Sequence, residues 1–176
     1  MNNGMTGSSS IDNNTINNLA INSGAINDDM AKSRTSFEDY IAKNSSLTYT
    51  NVGVSMLPLL RQGKDLFTIR AKSSKRCKPG DVVLYRRPPD KYVLHRVVEV
   101  HPTDYVILGD NCISKEYGIT DKDIVGIMTG FVRSGREHSI EEIGYRLYSF
   151  IWMHTMVSRI FLKKTAVRLK RLLKKH

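Results

Sequence analysis

From Leu47 to Val132 the chain runs as short β-rich segments separated by turn residues, and this texture constrains the fold more than any other feature. LTYTNVGV, DLFTIR, GDVVLYRR, KYVLHRVVEV and YVILGD read as strands, and IVGIMTGFV, Ile124 to Val132, reads as a last strand that returns to close the sheet. The connections Arg61-Gln62-Gly63-Lys64, Lys78-Pro79-Gly80, Pro88-Pro89-Asp90 and His101-Pro102-Thr103-Asp104 carry Gly, Pro or Asp where a turn requires a fixed or positive φ. The spacing predicts a mainly β fold, a barrel or sandwich of hairpins.

A chain of 176 residues supports one ordinary core with appendages. The core is expected over residues 51–138. Residues 1–33 are rich in Asn, Ser and Gly, with apolar residues at no regular period. They cannot bury enough surface to offset the entropy of ordering, so a disordered arm is expected. No basic stretch followed by an apolar run occurs there, so neither a secretory signal peptide nor an N-terminal membrane anchor is expected. Over residues 34–50, Ser36 as N-cap, Glu38 and Asp39 in the first turn and Tyr40-Ile41-Ala42 predict a short helix leading into the core.

After Ser139 the apolar period changes to 3.6 residues. Ile140, Ile143, Leu147, Phe150, Ile151, Val157, Ile160 and Phe161 make one stripe, predicting an amphipathic helical tail over 139–176. The apolar stretch from Leu147 to Leu162 contains His154 and Arg159 and is shorter than the roughly 20 residues a span requires, which favours an interfacial helix over a transmembrane one. The formal charge of +10 concentrates here: nine Lys or Arg against two Glu give the tail +7 and leave +3 for everything before it. Such a tail suits an anionic membrane surface; it equally suits a helix packed on the β core with a solvated basic end. Nucleic acid is the weaker partner, because aromatic stacking residues are not interleaved with the charge.

Cys77 and Cys112 are too few and too unpatterned for a disulfide framework, so reduced thiols in a reducing compartment are expected. The five histidines, His95, His101, His138, His154 and His176, lack the paired spacing of a metal site. No metal or other cofactor is implied.

Three segments carry residue types suited to acyl transfer: Gly53-Val54-Ser55-Met56-Leu57-Pro58, Tyr92-Val93-Leu94-His95-Arg96-Val97-Val98 and Val106-Ile107-Leu108-Gly109-Asp110-Asn111. A peptidase needs an activated hydroxyl, a base within hydrogen-bond reach and a group that holds the base in one tautomer. Pro58 disfavours helix at Leu57, so Ser55 is expected on a tight turn at a strand end. Alternation places His95 on one face with Val93 and Val97, opposite Leu94, Arg96 and Val98. A partly desolvated imidazole with an ordinary pKa of about 6.5 is mainly neutral near pH 7 and able to accept the serine proton. Asp110, at the end of the next strand, is the expected orienting acid. Read singly, each has a structural alternative: a turn serine, a packed histidine and an Asx-turn aspartate.

Together these segments resemble the superfamily of type I signal peptidases and LexA-like self-cleaving repressors. In that superfamily the nucleophile lies in a Ser-Met motif commonly followed by Pro, as in Ser55-Met56-Leu57-Pro58. Pro79-Gly80-Asp81-Val82-Val83, His95-Arg96-Val97 and Gly109-Asp110-Asn111 match the later motifs in order and spacing. His at position 95, where other members carry Lys, is similar to the endoplasmic-reticulum and archaeal-type signal peptidases. The resemblance implies a signal-peptidase/LexA-like β core, a catalytic set of Ser55, His95 and Asp110, and oxyanion stabilisation by the Ser55 backbone N–H. Gly53 stands where many signal peptidases carry Ser, as in LexA-like members, and a polar arm stands where signal peptidases carry a transmembrane helix.

The implied activity is that of a cytoplasmic or membrane-peripheral serine endopeptidase acting on a small precursor or leader-bearing peptide through an acyl-enzyme on Ser55. The alternatives are a self-cleaving LexA-like regulator and a catalytically silent binding module of the same fold. A histidine base predicts an acid limb near pH 6 to 7, whereas activity still rising above about pH 9 points to a lysine base, with Lys91 nearest in sequence. Asp110→Asn is expected to lower turnover with the fold intact.

Overall fold

The chain enters the fold through α1 (Phe37–Asn44), which starts where the sequence predicts. The Ser36 hydroxyl accepts from the Asp39 N–H at 3.1 Å and the Asp39 carboxylate accepts from the Ser36 N–H, a reciprocal cap. The helix ends at Ser45, whose left-handed backbone lets its N–H return to the Ile41 carbonyl at 2.8 Å. The computed structural model describes residues 36–89 and 91–173. The arm expected over residues 1–33 lies outside the described residues.

Eight strands follow: β1 (Ser46–Thr50), β2 (Leu66–Ala71), β3 (Val82–Arg87), β4 (Lys91–Val100), β5 (Tyr105–Leu108), β6 (Glu116–Ile119), β7 (Ile124–Arg133) and β8 (Arg136–Ser139). They form one antiparallel sheet in the order β1-β2-β7-β3-β4-β5-β6, with β8 also on β7. β7 is the returning strand the sequence predicts. Along one edge it pairs with β2; along the other it pairs first with β3, through Ile124 to Ile127, and then with β8, through Gly130 to Arg133.

The fold is therefore mainly β, as the segment texture predicts. β6 and β8 were not anticipated. Each is four residues long, one of them charged and exposed and the other interrupted by Gly118 at φ +74°, so neither carries a strand-like composition. β1 stops at Thr50 and pairs with β2 throughout, with Leu47 fully buried, so the sheet begins before residue 51.

The core forms on both faces of the central strands, and Leu94 to Val98 are all buried. On one face Val83, Tyr85 and Val97 pack with Tyr105, Ile107 and Ile119. On the other, Val82, Leu84 and Leu94 pack with Met56, Leu60, Ile69 and Met128, while α1 adds Ile41. A smaller cluster of Val98, Val106 and Leu108 lies under the tail.

The tail forms two helices, α2 (Ile143–His154) and α3 (Met156–Leu173). Their contact with the sheet is aromatic and polar: Tyr145, Tyr148, Met153, Met156 and Ile160 pack against the core, and Tyr148 stacks on Trp152 at 5.2 Å. Most of the apolar stripe seen in the sequence faces outward. Ile143, Leu147, Phe150, Ile151, Val157 and Phe161 are all exposed.

A buried ion pair joins tail to sheet. Arg96 and Asp110, each with a side chain 1% exposed, meet through two hydrogen bonds of 2.7 Å. Arg96 also donates to the Gly80 carbonyl at 2.8 Å and to the Ser149 hydroxyl at 2.9 Å. The Tyr148 hydroxyl donates to the Asp110 carboxylate at 2.9 Å, and Trp152 Nε1 and Arg159 donate to the Asp110 carbonyl. Burial disfavours the Arg96 charge, but the Asp110 carboxylate outweighs it and raises the guanidinium pKa.

Candidate active site

Ser55 lies on the irregular turn between β1 and β2. Three constraints shape that turn. Asn51, buried where β1 ends, donates to the Gly53 carbonyl at 3.0 Å. Gly53 takes φ +90°, a conformation costly for any side chain. Met56, Leu59 and Leu60 are buried and anchor the far side.

The segment after β5 clamps the turn from above. The Asn111 N–H donates to the Ser55 carbonyl at 2.7 Å and its side-chain amide donates to the Val54 carbonyl at 3.0 Å. The Ser55 side chain is left half-buried in the wall of a cavity of about 1270 Å³. His95 and Glu116 line the same cavity, with Leu84 and Tyr92 among its apolar surfaces and Lys163 and Val167 contributed by α3.

His95 sits in the middle of β4, 5% exposed. Its Nδ1 is 3.1 Å from Glu116 Oε1 and 3.3 Å from the Tyr85 hydroxyl. Arg87 binds the same carboxylate with its Nε and Nη2. Burial pushes the Glu116 carboxyl up, but Arg87, Tyr85 and His95 outweigh it and hold it below the ordinary glutamate value. An ionised carboxylate only accepts, so the proton of the neutral imidazole resides on Nδ1 and the lone pair on Nε2. Burial lowers the His95 pKa, with Glu116 opposing, and the ring is a neutral base at neutral pH.

Nε2 is buried and has no hydrogen-bond partner among the described residues. The Ser55 hydroxyl therefore makes no hydrogen bond to it in this arrangement, although Ser55 and His95 line one cavity; catalytic hydrogen bonds often tighten only when substrate arrives. Gly109 makes room for the ring. A Cβ there would lie 2.8 Å from Nε2 and 2.7 Å from Cys112 Sγ. Burial raises the pKa of the Cys112 thiol, which leaves it protonated near neutral pH.

Asp110, the expected orienting acid, is not placed on the imidazole. Both of its carboxylate oxygens are held by Arg96, and the cause is the two-residue period: Gly109 faces His95, so Asp110 faces the opposite side, where Arg96 points. Glu116 arrives by register. Val97 pairs with Ile107 and Ile107 with Glu116, which puts the carboxylate on the His95 face one row along. No sequence signal marked it, because its position depends on two hairpin registers that each contain an irregularity.

The lysines beside the site come from the tail, Lys163 and Lys170 of α3. Lys91 is exposed at the start of β4, whereas Lys163 of α3 lines the cavity and donates to the Asn111 carbonyl at 2.9 Å. Burial and the neighbouring Arg159 lower its pKa. Compared with known proteins, the chain matches no family model and no curated protein.

Proposed function

We propose that this protein is a serine endopeptidase of the signal peptidase and LexA-like superfamily, with Ser55 as nucleophile, His95 as base and Glu116 as the acid that orients the base. The observation that carries the reading is the buried imidazole: Nδ1 faces an ionised carboxylate, the buried Nε2 has no hydrogen-bond partner among the described residues, and His95 and Ser55 line one cavity. The order of Ser55-Met56, Pro79-Gly80-Asp81, His95-Arg96-Val97 and Gly109-Asp110-Asn111 supports the family and its LexA-like core.

In this mechanism the Ser55 oxygen bonds to the substrate carbonyl carbon as its proton passes to Nε2. The peptide C–N bond then breaks, and the leaving amine takes the proton from Nε2. A water molecule, deprotonated by the same nitrogen, attacks the acyl carbon; the ester C–O bond to Ser55 breaks, and the Ser55 oxygen recovers the proton from Nε2. No described residue accepts a hydrogen bond from the Ser55 N–H, which suits it to the developing oxyanion, a contribution of roughly a hundredfold or more in rate. The substrate is a small precursor or leader-bearing peptide. Asp110 serves the fold.

The test is reaction with an organophosphonate serine probe read by intact mass, using wild type, Ser55→Ala and His95→Ala. One adduct, absent from both variants, is expected. No adduct on folded wild-type protein would move the assignment to a catalytically silent binding module, and an adduct that survives Ser55→Ala would place the nucleophile elsewhere.

A further inference from the structure

All the exposed large hydrophobic side chains among the described residues lie on α2 and α3, except Val52, Val54 and Tyr117. On α2, Ile143, Leu147, Phe150 and Ile151 fall at helical spacing on one outward face. On α3, Val157, Phe161, Leu162, Leu169 and Leu172 do the same, and Phe161 is 68% exposed. The opposite faces of both helices already have partners in Tyr148, Trp152, Arg159 and Lys163. The outward face is therefore not a core face left uncovered by a poor fit.

Its charge is one-sided. No Asp or Glu occurs between Ile143 and Leu173, and Arg146, Lys164, Arg168 and Arg171 are all exposed, while Lys170 lies with Lys163 along the cavity. Arg159 and Lys163, by contrast, turn inward. No helix among the described residues is long and apolar enough to cross a membrane. Exposed Leu, Ile and Phe flanked by unpaired-sign cations, on helices that do not span, is the arrangement that lies in a bilayer interface. A second copy of the chain is the poorer occupant, since it would bring the same cations of a +10 chain face to face.

We infer that the outward face of α2 and α3 docks on an anionic lipid bilayer, with the apolar side chains at the acyl boundary and the lysines and arginines on the headgroups. α3 touches lipid with one face and walls the cavity beside Ser55 with the other. Docking therefore presents the cavity to peptides held at the membrane, a consequence that rests on the peptidase reading. The docking itself does not.

Flotation of the full chain with vesicles tests it. With phosphatidylcholine alone little protein should float; with added phosphatidylglycerol most should, and high salt should release part of it. Phe161→Glu and Leu169→Glu together, at exposed positions that spare the fold, should lower the bound fraction at least about tenfold, and Leu147→Glu should act in the same direction through the other helix. Ser55→Ala should float like wild type, so loss of docking and loss of the peptidase site are read separately. Failure to float on anionic vesicles, or sedimentation as a dimer that the same glutamates dissociate, would overturn the proposal.

Discussion

Glu116 holds a carboxylate oxygen 3.1 Å from Nδ1 of His95, and Arg87 grips that carboxylate from the other side. The pair sets the tautomer, so on the proposed reading Glu116→Gln should leave the fold intact and slow probe labelling of Ser55 by roughly a hundredfold or more, by analogy with loss of the orienting acid in Ser-His-Asp peptidases. Pseudo-first-order labelling rates measured by mass would check this. A rate within threefold of wild type would remove Glu116 from the mechanism.

Asp110→Asn has a different expected outcome from the one its motif suggests. It leaves the buried Arg96 guanidinium short of its countercharge, so the main effect should be a stability loss of about 3 kcal/mol or more. Urea unfolding read by circular dichroism measures it. Loss of labelling with unchanged stability would instead return Asp110 to a catalytic role.

The acid limb of activity should lie below pH 6.5, because burial favours the neutral imidazole and lowers the His95 pKa from that value. The same shift bears on stability. The unfolded chain takes up a proton on this group near 6.5 while the folded one does not, so its contribution is present above that pH and is lost as pH falls through the lower folded value. Labelling rate against pH gives the limb. A rate that keeps rising on the alkaline side and vanishes in Lys163→Met would assign the base to Lys163.

Gly109→Ala should displace the imidazole, since the new methyl would lie 2.8 Å from Nε2. Labelling should fall sharply while the far-ultraviolet circular dichroism is kept. Adding Cys112→Ala relieves only one of the two contacts and should restore little. Full activity in the single variant would show that the ring has room to move.

Much of this architecture is readable from local chemistry. Period-2 runs and turn residues marked six of the strands, Ser36 marked the start of α1, and motif order drew attention to Ser55 and His95. The position of Asp110 is legible too: the alternation that separates His95 from Arg96 also separates Gly109 from Asp110, and followed one strand further it puts the acid on Arg96. Glu116 was not readable, because β6 lacks strand-like composition and its position depends on two irregular registers. The tail misleads for a third reason. Periodicity reveals that a helix has an apolar face, but not which face the protein covers with itself, and here aromatic rings and an arginine occupy the inner side.

Beside its bond to the Gly80 carbonyl, the Arg96–Asp110 pair is tied to the tail: Arg96 donates to the Ser149 hydroxyl and the Tyr148 hydroxyl donates to Asp110. A fragment ending near Ser139 would remove the tail groups that cover this pair and complete its hydrogen bonds, so the change of periodicity at that point is not a seam where the polypeptide can be divided. Sheet and tail should melt together, and the amides of α2 should exchange with solvent at rates close to those of β4 and β5 rather than as a frayed end.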